Sequence, residues 1–262
     1  MKNLPMYQVD AFASTLFEGN PAAVCPLDKW LTEQEMQKVA LENNLSETAF
    51  FVPEGEGFYI RWFTPNEEVA LCWHATLATA HVIFEELKFK GDEIKFNSQS
   101  GTLIVRRHGN GLMMDFPALP YHPIELTPEL QQLNLKKPQK VIKSQFDLMF
   151  VYENEKDVRE AQPDLDAVAR LAYRGLILTA PGKNSDVYSR CFYPGCNVPE
   201  DPVTGSAHCV IAPYWCEQLN KSSIKAMQGG ARQGKLECEV KEGRVFLYGT
   251  THLYMRGTIY LP

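Results

Sequence analysis

Long apolar runs are missing from this chain of 262 residues. No stretch approaches the roughly 20 residues that a membrane-spanning helix needs, so no membrane segment is expected. The first residues carry no apolar core of the kind a secretory leader requires, which points to a cytoplasmic protein. Positive charge is in deficit. The formal net charge is -6, and no basic stripe is present. Phosphate binding needs basic surface, so nucleic acid is not expected as a partner. Cysteine is sparse and odd in number, with seven in all. Cys191 and Cys196 stand nearest each other and lack CxxC spacing, as expected of reduced thiols in the cytosol. The histidines are scattered without ligand spacing, so no metal is expected. Low-complexity tracts are absent too.

What is there is a pattern used twice. Phe63-Thr64-Pro65 leads through a polar loop to Cys72-Trp73-His74-Ala75-Thr76 and a helical pattern. Phe192-Tyr193-Pro194 leads to Glu200-Asp201-Pro202-Val203-Thr204-Gly205-Ser206-Ala207-His208 and a second helical pattern. The copies lie roughly 130 residues apart, the signature of an internal repeat. Downstream, Gly101-Thr102-Leu103 resembles Gly234-Lys235-Leu236. The chain therefore divides into similar halves, 1–117 and 118–262, with the C-terminal strand able to cross over to the first. Two helix starts aimed at one cleft would make a ligand site of the kind favoured between domains.

Residues 31–43 have helical spacing, and Asn43-Asn44 stops it. Residues 47–52 and 58–63 are β-rich and pair across a Pro/Gly turn. Residues 74–87 and 206–219 predict the two strong helices. Strands follow at 93–96, 102–107 and 112–116, the last two joined by His108-Gly109-Asn110-Gly111, a hairpin signal. In the second half, helices are expected at 127–133 and 164–172, with strands within 140–152 and at 175–180, 187–193, 236–240, 244–249 and 258–261. The fold class is α/β (α+β), with strands wrapped round one apolar helix in each half.

Three places carry chemistry. Glu47 sits at the mouth of an apolar strand, where desolvation raises a carboxyl pKa toward general acid/base use. A solvated strand-end glutamate is the plainer alternative. His74 falls at a helix start, where free N–H groups and the helix dipole favour an anion. A packed capping histidine is the alternative there. Thr204, Gly205 and Ser206 open the second helix behind Asp201, which Pro202 holds extended. Alone they suggest only a capped helix. Their place in the repeat makes them more.

Gly19-Asn20-Pro21-Ala22-Ala23-Val24, Asn43-Asn44-Leu45-Ser46-Glu47-Thr48-Ala49-Phe50, Arg61-Trp62-Phe63-Thr64-Pro65, His74-Ala75-Thr76 and Glu200-Asp201-Pro202-Val203-Thr204-Gly205-Ser206 together resemble the PhzF (phenazine biosynthesis) family. The resemblance runs over essentially the whole chain. It implies a diaminopimelate epimerase-like fold: two similar halves, each a β-barrel-like sheet around a central helix. It also implies a cofactor-independent isomerase that moves a proton between carbons of a small carboxylated metabolite. Glu47 would be the acid/base, with His74 and Asp201 as its catalytic partners. Asn20, Ser46, Trp73, Gly205 and Ser206 would contact substrate. A homodimer is likewise implied by the resemblance alone.

Trp73 departs from the family, which has glycine there. With Ala75 matched to Ala207, Trp73 falls opposite Gly205. The ring can pack away harmlessly, reshape the pocket for another substrate, or block it and leave a non-catalytic binding protein. An amino-acid racemase is a further alternative. Two opposed thiols are disfavoured for it because Cys72 is matched by Thr204, which leaves Glu47 and Cys72 as unlike bases.

Overall fold

Two helices that bury most of their residues, Trp73–His81 and Gly205–Leu219, each need a sheet to cover them. The structure, a computed structural model, describes residues 2–262. The chain forms two units: Met1–Asp115 with Tyr248–Pro262, and Phe116–Leu247.

The first unit begins with β1 (Lys2–Ala11), β2 (Asn20–Pro26) and α1 (Glu33–Asn43). It continues through β3 (Glu47–Glu54), β4 (Gly57–Phe63), β5 (Glu68–Val69) and α2 (Trp73–His81), then β6 (Glu93–Ser98), β7 (Gly101–His108) and β8 (Gly111–Pro117). Thr32 caps α1 in a reciprocal box with Glu35. Asn44 ends the helix at φ 49°, a left-handed turn that asparagine tolerates. Met36, Val39 and Ala40 of α1 pack with Cys25, Phe50 and Phe63 of the strands. α2 packs on β1, β2 and β3. Its buried hydroxyls are satisfied internally, Thr76 on the Cys72 carbonyl and Thr79 on the Ala75 carbonyl. Beyond His81 the helix widens into a π-helical turn, Val82–Glu86, where the residue 74–87 pattern predicts one continuous helix.

The second unit holds β9 (Tyr121–Ile124), α3 (Pro128–Gln131), β10 (Lys140–Ser144), β11 (Asp147–Val151), α4 (Glu155–Arg159) and α5 (Leu165–Ala169). β12 (Gly175–Pro181), β13 (Val187–Tyr193), β14 (Val198–Asp201), α6 (Gly205–Leu219), β15 (Ser223–Gln228), β16 (Gly234–Lys241) and β17 (Arg244–Gly249) complete it. α6 packs on β15 and β16. Pro213 inside it has no N–H to give the Cys209 carbonyl, and Leu119 N–H donates to that carbonyl instead at 2.9 Å. The last strand, β18 (Thr251–Leu261), runs antiparallel to β1 and belongs with the first unit.

The two units share one pairing scheme. β1–β2 is antiparallel, β2–β3 parallel, β3–β4 antiparallel and β4–β6 parallel. β10–β11, β11–β12, β12–β13 and β13–β15 repeat that sequence of directions. The match extends to single residues. Cys72 and Thr204 are both N-caps, so Trp73 and Gly205 are both first helical residues. The repeat read from sequence is thus a repeat of structure.

Candidate active site

In the first unit, β3 starts three residues after the left-handed cap of α1, and this sets Glu47 at the strand mouth. Asn43 Nδ2 donates to Thr48 Oγ1, tying the helix end to the strand. The parallel β2–β3 ladder brings Asn20 and Ser46 together, while α2 delivers Cys72 and His74.

These side chains form a network. Ser46 Oγ donates to Asn20 Oδ1 at 3.4 Å, and Asn20 Nδ2 donates to His74 Nδ1 at 3.2 Å. An accepting Nδ1 assigns the proton of a neutral His74 to Nε2. Nε2 lies 3.1 Å from Glu47 Oε2. That is an ion-pair distance without hydrogen-bond alignment, so Glu47 Oε2 is buried with no hydrogen-bond partner among the described residues. A buried carboxylate oxygen left in this state has unused capacity to take a proton. Cys72 Sγ stands 3.6 Å from His74 Nδ1.

Burial raises the Cys72 thiol to about 11, and the nearby Glu47 charge adds to the effect. Cys72 is therefore protonated at neutral pH. Burial works against a charged His74, yet Cys72 and Glu47 outweigh it and raise the ring well above its ordinary value. Glu47 is the partner that acts at neutral pH, because the thiol carries no charge there. The cluster can pass a proton between carboxylate and imidazole. Glu47, Cys72 and His74 also offer three donor atoms within 4.8 Å of one another, the ligand types that a zinc ion accepts.

The other sequence-predicted residues divide between the units. Trp73 is the first residue of α2 and is half-buried. Asp201, Gly205 and Ser206 are in the second unit. Asp201 Oδ2 accepts from Thr204 Oγ1 at 2.5 Å. Gln228 locks this loop: its Nε2 donates to the Asp201 carbonyl and Thr204 Oγ1, and its Oε1 accepts from Thr204 N–H. Neither Cys72 nor Thr204 caps its helix with a side chain, so both helix starts keep that capacity open.

Sequence reasoning missed Gln228, Arg174 and Tyr193. Only the repeat could have found the last two. Thr48 pairs with Phe63, and Leu176 pairs with Phe192. Since Phe63 matches Phe192, Glu47 matches Gly175 and Ser46 matches Arg174. The second unit thus has no side chain where the first has its carboxylate. The Tyr193 ring fills that space, 2.1 Å from where a Gly175 Cβ would stand.

The buried Glu47 Oε2 atom thus faces an imidazole on a mixed sheet with a central helix. A hydroxyproline epimerase structure from Agrobacterium vitis shares the fold with a TM-score of 0.60 at 8% identity, over 98% of this chain and 92% of that one. The pattern of the phenazine biosynthesis-like protein family (PhzC-PhzF) matches residues 9–257, and the chain belongs to that family. It is 49% identical over 258 residues to an uncharacterized isomerase of Pseudomonas aeruginosa, covering 98% of this chain and 99% of that protein. A PhzF-family crystal structure from Enterococcus faecalis matches with a TM-score of 0.95 and 45% identity, over 99% and 100% of the two chains. No helix among the described residues is long and apolar enough to cross a membrane.

Proposed function

We propose that the protein is an isomerase that moves a proton between carbons of a small carboxylated metabolite, with Glu47 as the general acid/base. The observation that carries this reading is the Glu47 Oε2 atom, buried, without a hydrogen-bond partner and 3.1 Å from His74 Nε2. A carboxylate so held takes a proton from a carbon acidified by a neighbouring carbonyl or double bond. The C–H electron pair moves into the conjugated system. The carboxylic acid then returns the proton to another carbon, so atoms and charge balance without an external reagent. His74 Nε2–H and the open start of α2 can stabilise the electron-rich intermediate. Asn20, fully buried, lies 3.2 Å from His74 Nδ1 and so orients the ring. The family resemblance assigns substrate contacts to Asp201, Gly205 and Ser206, and the Gln228 lock on the Asp201 loop fits a binding role.

The test is deuterium incorporation from deuterated water into a pool of small carboxylic and amino acids plus a metabolite extract, read by mass spectrometry. A metabolite labelled by the parent and not by Glu47→Gln supports the reading. Labelling that persists in the variant overturns the role of Glu47. A racemase using Glu47 and Cys72 is the second reading, favoured by their shared cluster. It needs the thiol as one base, and the upward shift of Cys72 weighs against it.

A further inference from the structure

Three donor groups of the first unit stand as a metal ion would need them. Cys72 and His74 come from the start of α2 and Glu47 from the mouth of β3, so helix and sheet assemble a set that no ligand spacing in the sequence spells out. The three residues offer one donor atom each within 4.8 Å of one another. His74 Nε2 lies 3.1 Å from Glu47 Oε2 and 4.0 Å from Cys72 Sγ. A tetrahedral zinc ion with sulfur, nitrogen and oxygen ligands sets a sulfur–nitrogen edge of about 3.6 Å and a nitrogen–oxygen edge of about 3.3 Å. The observed triangle is close to that, with the sulfur slightly too far out.

Charge and hydrogen bonding fit as well. A thiolate and a carboxylate cancel a dication, so the filled site buries no net charge. Burial keeps the Cys72 thiol protonated without metal, and ligation releases that proton to water. Cys72 is the N-cap of α2, where the positive end of the helix favours a thiolate. An imidazole ligand is braced through its other nitrogen. Asn20 is fully buried 3.2 Å from His74 Nδ1, with Ser46 Oγ 3.4 Å from its Oδ1. With the Asn20 amide turned over, its oxygen accepts from Nδ1–H and its nitrogen donates to Ser46 Oγ, which frees the Nε2 lone pair. Glu47 Oε2, buried without a hydrogen-bond partner among the described residues, has lone pairs unspent. The second unit shows that the frame alone does not make this set. Gly175, Thr204 and Ser206 stand where Glu47, Cys72 and His74 stand, and none of them carries a carboxylate, thiol or imidazole.

We propose that Glu47, Cys72 and His74 bind a divalent cation of the zinc class, with water in the fourth position. Sulfur and imidazole select zinc or cobalt over magnesium and calcium, which take oxygen ligands. The ion holds Glu47 Oε2 and His74 Nε2, the atoms that proton transfer needs, and so inhibits that chemistry reversibly. Binding stands on the geometry of one unit; its inhibitory consequence rests on the isomerase reading.

The experiment is a cobalt(II) titration of the full-length protein, first treated with EDTA, followed by absorption. One cobalt ion per chain is expected, with the visible bands of four-coordinate cobalt and a thiolate-to-cobalt charge-transfer band in the near ultraviolet. Zinc binds such donors more tightly and should erase both. Cys72→Ser should lose the charge-transfer band, and Glu47→Gln should bind at least about tenfold more weakly. Cys196→Ser, which removes the exposed thiol, should leave the spectrum unchanged. Each variant is checked for a parental melting profile. A parent without charge transfer, a band that survives in folded Cys72→Ser, or parental affinity in folded Glu47→Gln overturns the site. In the deuterium assay, zinc should cut exchange by at least about tenfold and EDTA should restore it. Exchange that zinc leaves unchanged, or speeds, overturns the inhibition. The cobalt spectrum needs no substrate, so the site and the isomerase reading can fail separately.

Discussion

The two units are built to one plan and equipped differently. Both run antiparallel, parallel, antiparallel, parallel through the same strands, and both open an apolar helix behind an extended N-cap without a side-chain cap. At the strand mouth the first unit has Ser46 and Glu47, and the second has Arg174 and Gly175. At the second helical position the first has His74 and the second Ser206. The Ser46 hydroxyl and His74 imidazole of one unit thus correspond to a guanidinium and a hydroxyl in the other, and the Glu47 carboxylate to a bare glycine. Duplication supplied two equal frames. What differs is that the first unit sets a carboxylate against an imidazole at this place and the second sets a guanidinium against a hydroxyl.

The comparison breaks most sharply at Glu47. Glu47→Gln keeps the shape and removes the proton acceptor, so proton exchange should fall by roughly 10²–10⁴-fold with little change in melting temperature. Exchange at parental rate in a folded Glu47→Gln protein would mean that the first unit does not carry the base.

The next largest effect is a pH contrast between the two histidines. Thr76 and His208 are repeat equivalents, and both bond the carbonyl of their N-cap, Cys72 and Thr204 respectively. Burial lowers His208 to about 4 from 6.5, and its Nε2 has no hydrogen-bond partner among the described residues. The unfolded chain therefore binds the extra proton at a higher pH than the native protein does. Stability from this group is complete above about pH 6.5 and is lost as pH falls toward 4, by about 3 kcal/mol. His74 has the opposite sign. Its raised value contributes stability below pH 6.5 that is lost as pH rises through the folded value. Histidine ring signals in an NMR titration should show one ring still neutral near pH 5 and another still charged above pH 7. Two rings titrating together near 6.5 would remove the contrast.

The parts legible in the sequence were those written in local chemistry. Helical spacing and Asn43-Asn44 located α1, the Gly/Asn turn located the β7–β8 hairpin, and apolar periodicity found α2 and α6. The family resemblance names Glu47 and His74 separately, and their approach to 3.1 Å belongs to the structure alone. Of the short elements, α3 and α5 fall within expected helices, while α4 and β15 were not anticipated. α4, one turn at Glu155–Arg159, is held by the Asn154 cap and by Arg159 on Glu155 rather than by periodicity. β15 has buried positions at Ile224, Ala226 and Gln228, and a glutamine facing inward hides the alternation. Arg174 and Gln228 escaped for the same reason: their partners Asp147 and Asp201 lie 27 residues away and meet them only through sheet pairing and the loop before α6.

Gly175 tests the empty position directly. An added Cβ would meet the Tyr193 ring at 2.1 Å and the Phe192 carbonyl at 2.6 Å, and a backbone oxygen cannot move aside cheaply. Gly175→Ala should cost about 1–3 kcal/mol, measured by chemical denaturation. A neutral result would mean that Tyr193 leaves the space readily and that the second unit retains room for a side chain like that of Glu47.

The smallest expected effect belongs to Cys72. Its thiol shares the cluster with Glu47 and His74, but burial keeps it protonated and its repeat partner Thr204 is no thiol. A thiol outside the proton path contributes packing and a weak contact to His74 Nδ1. Cys72→Ala should therefore change deuterium exchange by less than about tenfold, with the rate still rising and falling on the same pH limbs as the parent. A loss as deep as that in Glu47→Gln would make the thiol a second base. The proton would then pass between unlike groups of one unit, as in the racemase reading, and the duplication would have given the first unit both halves of the chemistry.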